Sequence, residues 1–223
     1  DTKADVIAVN AVLVADPCVD DFEHLPSVDD EITNENSREG QIGKELSAQQ
    51  RHQVNELLAE FESLFGSRPG CTQLIEHKIT VNSDKPIAPK SYRIPERLRE
   101  QVNEQIQKML ENDVIEYSDS CYVNPIVCVR KPGTDDKGRP NMRICLDLRA
   151  INAITISDEQ PSSDMRRIIE QCGAAKYRSS LDLVSAFNQV PLEEESRKYC
   201  SFRNDTSFWR YKRMCFGLKN ASK

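Results

Sequence analysis

Apolar residues recur with helical spacing in some stretches of the chain and alternate like strands in others. In SAQQRHQVNELLAEFESLFG, Val54, Leu57, Leu58, Phe61, Leu64 and Phe65 share one face, Ser47 and Gln50 have capping-box spacing, and Gly66 closes the run. A helix is predicted there, its apolar face used for packing. IEHKITV, residues 75–81, alternates as a strand does, and Pro86 and Pro89 mark an extended connector. After Pro95 a second helix is predicted through ERLREQVNEQIQKMLENDVI, with Leu98, Val102, Ile106, Met109 and Leu110 inward. Two β-rich runs, 126–130 and 142–146, flank a Gly/Asp/Pro loop and predict a long hairpin. A helix from Ser163 to Cys172, closed by Gly173, precedes a strand over Ser179–Leu183. Two short strands follow in YCSFRNDTSFWRYKRMCFG, and a helix is expected to begin near Asn220.

Residues 15–46 are acidic and turn-rich without periodicity, so 1–46 is expected to be a largely disordered linker. The expected division is then 47–75, a packing helix with its connector, and 76–223, the main domain. Charge follows that division. Residues 1–70 hold 5 Lys and Arg against 15 Asp and Glu, whereas 71–223 hold 25 against 21, within a net charge of −6. An acidic head before a mildly basic body suits a solvated segment joined to a domain that tolerates polyanions. The 8 cysteines form no C-x-x-C pair, and several sit in apolar runs, as free thiols of a reducing compartment would. The 3 histidines form no metal-hydrolase motif. No apolar run reaches membrane-spanning length, and the first residues lack a signal peptide's basic region, so no membrane partner is expected.

Two features carry chemistry. Arg130, Lys131, Lys137, Arg139, Arg143 and Arg149 ring the predicted hairpin, and Asp182 stands alone among apolar residues at the end of a predicted strand. A carboxylate at a strand end followed by small residues suits a divalent-cation ligand, or caps a turn. Cations on a hairpin suit a phosphate grip, or are solvated loop charges.

The order of motifs is more specific than any one of them. S-x-S-x-x-x-N-P at Ser118–Pro125, R-x-C-x-D-x-R-x-x-N at Arg143–Asn152, L-D-L-x-S-x-F-x-Q-V-P-L at Leu181–Leu192 and F-G-L-x-N-A at Phe216–Ala221 occur in sequence. This series resembles the reverse transcriptases of retroelements, and among them the gypsy-type long-terminal-repeat retrotransposon Pol polyproteins, over residues 74–223. The resemblance implies an α+β, right-hand polymerase fold, here the fingers and the first part of the palm. It implies an RNA-directed DNA polymerase that transfers deoxynucleotides to a primer 3′-hydroxyl with two Mg²⁺ ions. Asp182 and the carbonyl of Leu183 would ligate metal. Lys131, Arg143, Ser185, Ala186, Phe187, Phe216 and Gly217 would meet the deoxynucleoside triphosphate, Phe187 by excluding a 2′-hydroxyl unless it is simply a core aromatic. Gln189, Arg210, Lys212 and Arg213 would lie near the RNA or DNA template-primer, although the last three read equally as an exposed strand face. Asp147 and Arg149 would pair structurally.

Leu148, Arg178, Cys215 and Ser222 depart from that family's common residues without removing a catalytic group. The family's second carboxylate pair, an aromatic-x-Asp-Asp box on a palm hairpin, lies downstream of the last motif, beyond Lys223. CVDDF, Cys18–Phe22, mimics the box but sits in the acidic linker, and Asp135–Asp136 lies in the hairpin loop. As given, the chain is expected not to polymerise. The protease, ribonuclease H and integrase of such polyproteins are its expected partners, in cytoplasmic virus-like particles or the nucleus. The rival expectation is a degenerate or domesticated element that binds nucleic acid, or a scaffold, without catalysis.

Overall fold

In the computed structural model, which describes residues 9–12, 42–43, 45–159 and 164–222, the chain divides into two units. The elements in chain order are β1 (Val9–Val12), α1 (Ala48–Glu60), α2 (Glu96–Glu111), β2 (Ile115–Tyr117), β3 (Ile126–Thr134), β4 (Pro140–Leu146), α3 (Arg149–Ile154), α4 (Met165–Ala174), β5 (Ser180–Leu183), α5 (Glu194–Arg197), β6 (Ser201–Arg203) and β7 (Phe208–Tyr211). Short 3₁₀ turns at Glu62–Leu64, Ala186–Gln189 and Lys198–Cys200 complete them. The first unit holds Arg68–Gln160 and Ser185–Lys223, the second Ala8–Ser67 and Pro161–Val184. The expected 1–46 linker lies mostly outside the described residues. No helix among the described residues is long and apolar enough to cross a membrane.

The core of the first unit forms where the α2 stripe meets sheet side chains. Val102 and Ile106 of α2 are buried with Val114, Ile115, Ile151, Leu192 and Phe202. Each such side chain contributes about 1.5–3 kcal/mol by leaving water. The antiparallel sheet has the order β2-β7-β6, with Ile115 opposite Tyr211 and Phe202 opposite Trp209. The predicted helix through Ile115 ends earlier. Asp113 takes a left-handed φ of 55°, and its N–H and that of Val114 bond back to the Leu110 and Met109 carbonyls. That Schellman arrangement stops α2 and releases Val114 and Ile115 into the sheet.

The predicted hairpin is present and longer than expected. β3 and β4 pair antiparallel, with Cys128 opposite Ile144 and Val129 opposite Arg143, and the register shifts between Arg130 and Thr134. Asp135 closes the loop, its carboxylate accepting from the N–H groups of Lys137 and Arg139, and Gly138 adopts a φ of +72°. The alternating run 75–81 is no full strand. It makes isolated bridges, His77 to Leu192 and Val81 to Thr155, because two separate segments take its backbone groups in turn. A helix near Asn220 is likewise not formed, and that segment is a series of turns.

In the second unit Ser47 and Gln50 make the predicted capping box on α1. The helix stops at Glu60, and a 3₁₀ turn continues it. α4 is capped by Asp164 and contains Gly173, which the sequence reading placed at its end. Arg178 donates to the carbonyls of Cys172 and Gly173, satisfying orphan acceptors at the helix C-terminus. β5 pairs antiparallel with β1, which places Asn10 opposite Asp182.

Candidate functional site

The aromatic floor is built by two turns of the first unit. Ser185, at φ 49° and ψ 52°, is one of two non-glycine residues with positive φ among those described. A left-handed serine stores strain, and here it sends the chain directly into the 3₁₀ turn Ala186–Gln189. That turn sets Phe187 against the core and against Phe216, the ring centres 5.0 Å apart at 74°. Edge-to-face pairing favours this arrangement.

Phe216 is positioned by a motif residue to which the sequence assigned no role. Asn152, in α3, donates to the Gly217 carbonyl at 2.7 Å and accepts from the Lys219 N–H at 3.0 Å. Both ends of one carboxamide thus hold the backbone beside Phe216. Asn220 adds a second clamp through the Ile156 carbonyl and the Asp158 N–H. Gly217 has a φ of +93°, and a Cβ there would meet nothing nearer than 4.0 Å. Backbone conformation, not space, calls for glycine.

Arg143 approaches from β4, its guanidinium carbon 5.9 Å from the Phe216 ring centre. That is within the range of a cation–π contact. The ring remains 43% exposed, so the pair presents a cation over an accessible apolar floor. Lys131, exposed on β3, makes no hydrogen bond or ion pair among the described residues.

The other predicted residues are placed differently. Gln189 is buried at 3% exposure, and its carbonyl accepts from the Thr72 N–H. Arg210 pairs with Glu116 at 2.7 Å and Glu194 at 2.8 Å, and Lys212 with Asp113 at 2.5 Å. Arg213 is only 7% exposed and donates to the carbonyls of Asp113, Gly70 and Asn188. An exposed basic strand face is therefore not what these three form, and the Arg213 guanidinium is taken up by backbone carbonyls. Asp147 and Arg149 pair as expected, at 2.6 Å, with Tyr92 donating to the same carboxylate. Hydrogen bonds from Arg149 hold the Asp147 carboxyl well below the usual carboxylate range.

Asp182 and Leu183 stand in the second unit, on β5, where all four residues are exposed. No group of three or more His, Cys, Asp or Glu able to hold a metal ion occurs among the described residues. Asp182 and a neighbouring carbonyl are hard oxygen donors of the kind Mg²⁺ takes, but only part of a coordination set.

Residues 129–222 match the family of reverse transcriptases (RNA-dependent DNA polymerases). The retrovirus-related Pol polyprotein from transposon 412 of Drosophila melanogaster is 32% identical over 184 residues, 81% of this chain and 15% of that polyprotein. The polyprotein from transposon gypsy of the same organism is 34% identical over 139 residues, 62% of this chain and 13% of its own length. The chain thus spans about a sixth or less of the curated relatives it matches. Among solved structures, prototype foamy virus protease–reverse transcriptase superposes with a TM-score of 0.67 at 24% identity, over 79% of this chain and 24% of that one. The fold is that of a partial reverse transcriptase polymerase.

Proposed function

The chain belongs to the reverse transcriptases, as a segment of a retrotransposon Pol polyprotein, and from that premise we propose that it carries the nucleotide-gripping part of an RNA-directed DNA polymerase. The reaction is attack of a primer 3′-hydroxyl on the α-phosphorus of a deoxynucleoside triphosphate, with pyrophosphate leaving. One observation carries the reading: Arg143, Phe187 and Phe216, far apart in sequence, come together as a cation above an aromatic floor. Arg143 and Lys131 neutralise the triphosphate, and fixed cations serve best where charge develops during transfer. Phe187 places a ring where a ribose 2′-hydroxyl would clash. Ser185 and Ala186 offer small side chains beside the phosphates.

By the family resemblance, Asp182 and the Leu183 carbonyl would hold a divalent ion, the kind of ion that neutralises charge in nucleotidyl transfer. Template-primer is the nucleic-acid partner in this reading. It is supported by the foamy viral protease–reverse transcriptase solved with an RNA/DNA hybrid, which shares this fold at a TM-score of 0.62. The protease, ribonuclease H and integrase of the polyprotein are the remaining partners. The test is primer extension by a Pol polyprotein carrying this segment. Asp182→Asn is expected to slow extension on the order of a thousandfold, about 4 kcal/mol of barrier. Extension at an undiminished rate in that variant would overturn the assignment.

A further inference from the structure

The hairpin that carries Lys131 and Arg143 is held along its outer edge by a helix. Gln105 of α2 donates to the Met142 carbonyl at 2.6 Å and accepts from the Ile144 N–H at 3.0 Å. One turn earlier, Gln101 donates to the Pro140 carbonyl at 3.2 Å and to Asp135 at 3.3 Å. Pro140, Met142 and Ile144 alternate along β4, so their backbone groups point to one side, away from β3. The spacing of alternate strand residues, about 6.7 Å, nearly equals the rise of about 6.0 Å between helix residues four apart. Two glutamines on one helix face can therefore serve successive sites on a strand edge that would otherwise lie open.

A charge cluster extends this ladder to the hairpin tip. Glu104, between the two glutamines, pairs with Arg139 and with Lys137, each at 2.6 Å. Arg139 also pairs with Asp135 at 2.7 Å, and Glu100 lies within 3.7 Å of Lys137 and 3.4 Å of Arg139. The tip cations are thereby matched to carboxylates of α2, while Lys131 has no such partner among the described residues.

We propose that Gln101, Glu104 and Gln105 are positioning residues. They bind β4 and the hairpin tip to α2, so that helix and hairpin present Lys131 and Arg143 to the triphosphate as one body. This rests on the reading that those two cations meet the nucleotide. Any closing motion of the hairpin then carries α2 with it, and nucleotide affinity depends on a helix that touches no nucleotide.

Two measurements test it. In this chain, hydrogen exchange at the Ile144 amide is expected to accelerate at least tenfold on Gln105→Ala, with the Phe202 and Trp209 amides still protected as evidence of an intact fold. In primer extension by a Pol polyprotein carrying the segment, with deoxythymidine triphosphate on a homopolymeric adenine template, Gln105→Ala and Glu104→Ala are each expected to raise KM about fivefold to tenfold. kcat should stay within twofold, and Glu104→Asp should restore part of the loss. Unchanged Ile144 exchange overturns the proposal, and so does faster exchange with KM unmoved, since the ladder would then only cover an edge. Failure of the functional reading shows separately, as extension that survives Asp182→Asn, because the exchange measurement needs no activity.

Discussion

The β3–β4 hairpin and the strand β7 with its following residues both display clustered basic side chains, Arg130, Lys131, Lys137, Arg139 and Arg143 on the first and Arg210, Lys212 and Arg213 on the second. In the fold they separate into different populations. Around β7 all three cations are engaged, Arg210 by Glu116 and Glu194, Lys212 by Asp113, and the nearly buried Arg213 by backbone carbonyls. On the hairpin only the tip cations are engaged by carboxylates among the described residues, and Arg143 meets a ring. A cation already matched inside the protein has less to offer a phosphate, because binding must first break what holds it. The comparison therefore favours the hairpin strands for the phosphate recognition proposed above, whereas the cations of the β7 region are tied into the fold.

Arg213 should give the largest effect in breaking that comparison. Arg213→Ala leaves the carbonyls of Asp113, Gly70 and Asn188 without the donor that a nearly buried guanidinium supplies. A loss of about 3 kcal/mol in unfolding free energy is expected from urea denaturation, followed by the fluorescence of the single tryptophan, Trp209. A fully stable variant that instead lost oligonucleotide binding would place Arg213 among the phosphate contacts and undo the division.

Arg143 is the opposite case and the next in size. Removing its side chain breaks no hydrogen bond or ion pair among the described residues, so Arg143→Ala should change stability by less than about 0.5 kcal/mol. Affinity for a deoxynucleoside triphosphate, measured by equilibrium binding, should fall about tenfold, or about 1.4 kcal/mol. A destabilised protein with unchanged affinity would reverse the two roles.

What the sequence made legible follows the range of the interactions. The capping box at Ser47 and Gln50, the α2 stripe and the paired runs of the hairpin are local patterns, and all three were readable. Motif resemblance also named Arg143, Phe187 and Phe216, whose side chains the fold brings together. The partners of Arg210 and Lys212 were not readable, because Glu116 and Asp113 lie nearly a hundred residues away and only the β2–β7 pairing brings them near. The end of α2 was missed for a different reason. A left-handed Asp113 has no apolar signature, so the helical pattern read straight through it. The apolar stripe of α4 was legible as a helix, yet Met165, Ile168 and Ile169 remain exposed, which periodicity alone does not foretell.

The smallest expected effect concerns the boundary between the two populations, the hairpin tip. Hydrogen bonds from Arg139 and then Lys137 hold the Glu104 carboxyl below its ordinary value, and the bonds that Asp135 receives from Arg139 and Lys137 lower it despite the opposing cost of desolvation. A carboxyl depressed in the folded state stabilises the fold fully above its unfolded value and loses that contribution as pH falls through the folded value. Glu104→Gln removes the charge and keeps the shape, so it imitates the protonated side chain. The wild type should therefore unfold at higher urea than Glu104→Gln at pH 7, and the gap should close below about pH 4, the region where ordinary glutamates protonate. Glu100, Asp135, Lys137 and Arg139 face Glu104 in both proteins, so their own titration largely cancels in the difference. A gap that persists at pH 3 would mean that Glu104 acts through packing, and the tip would then resemble neither the strand cations nor those of β7.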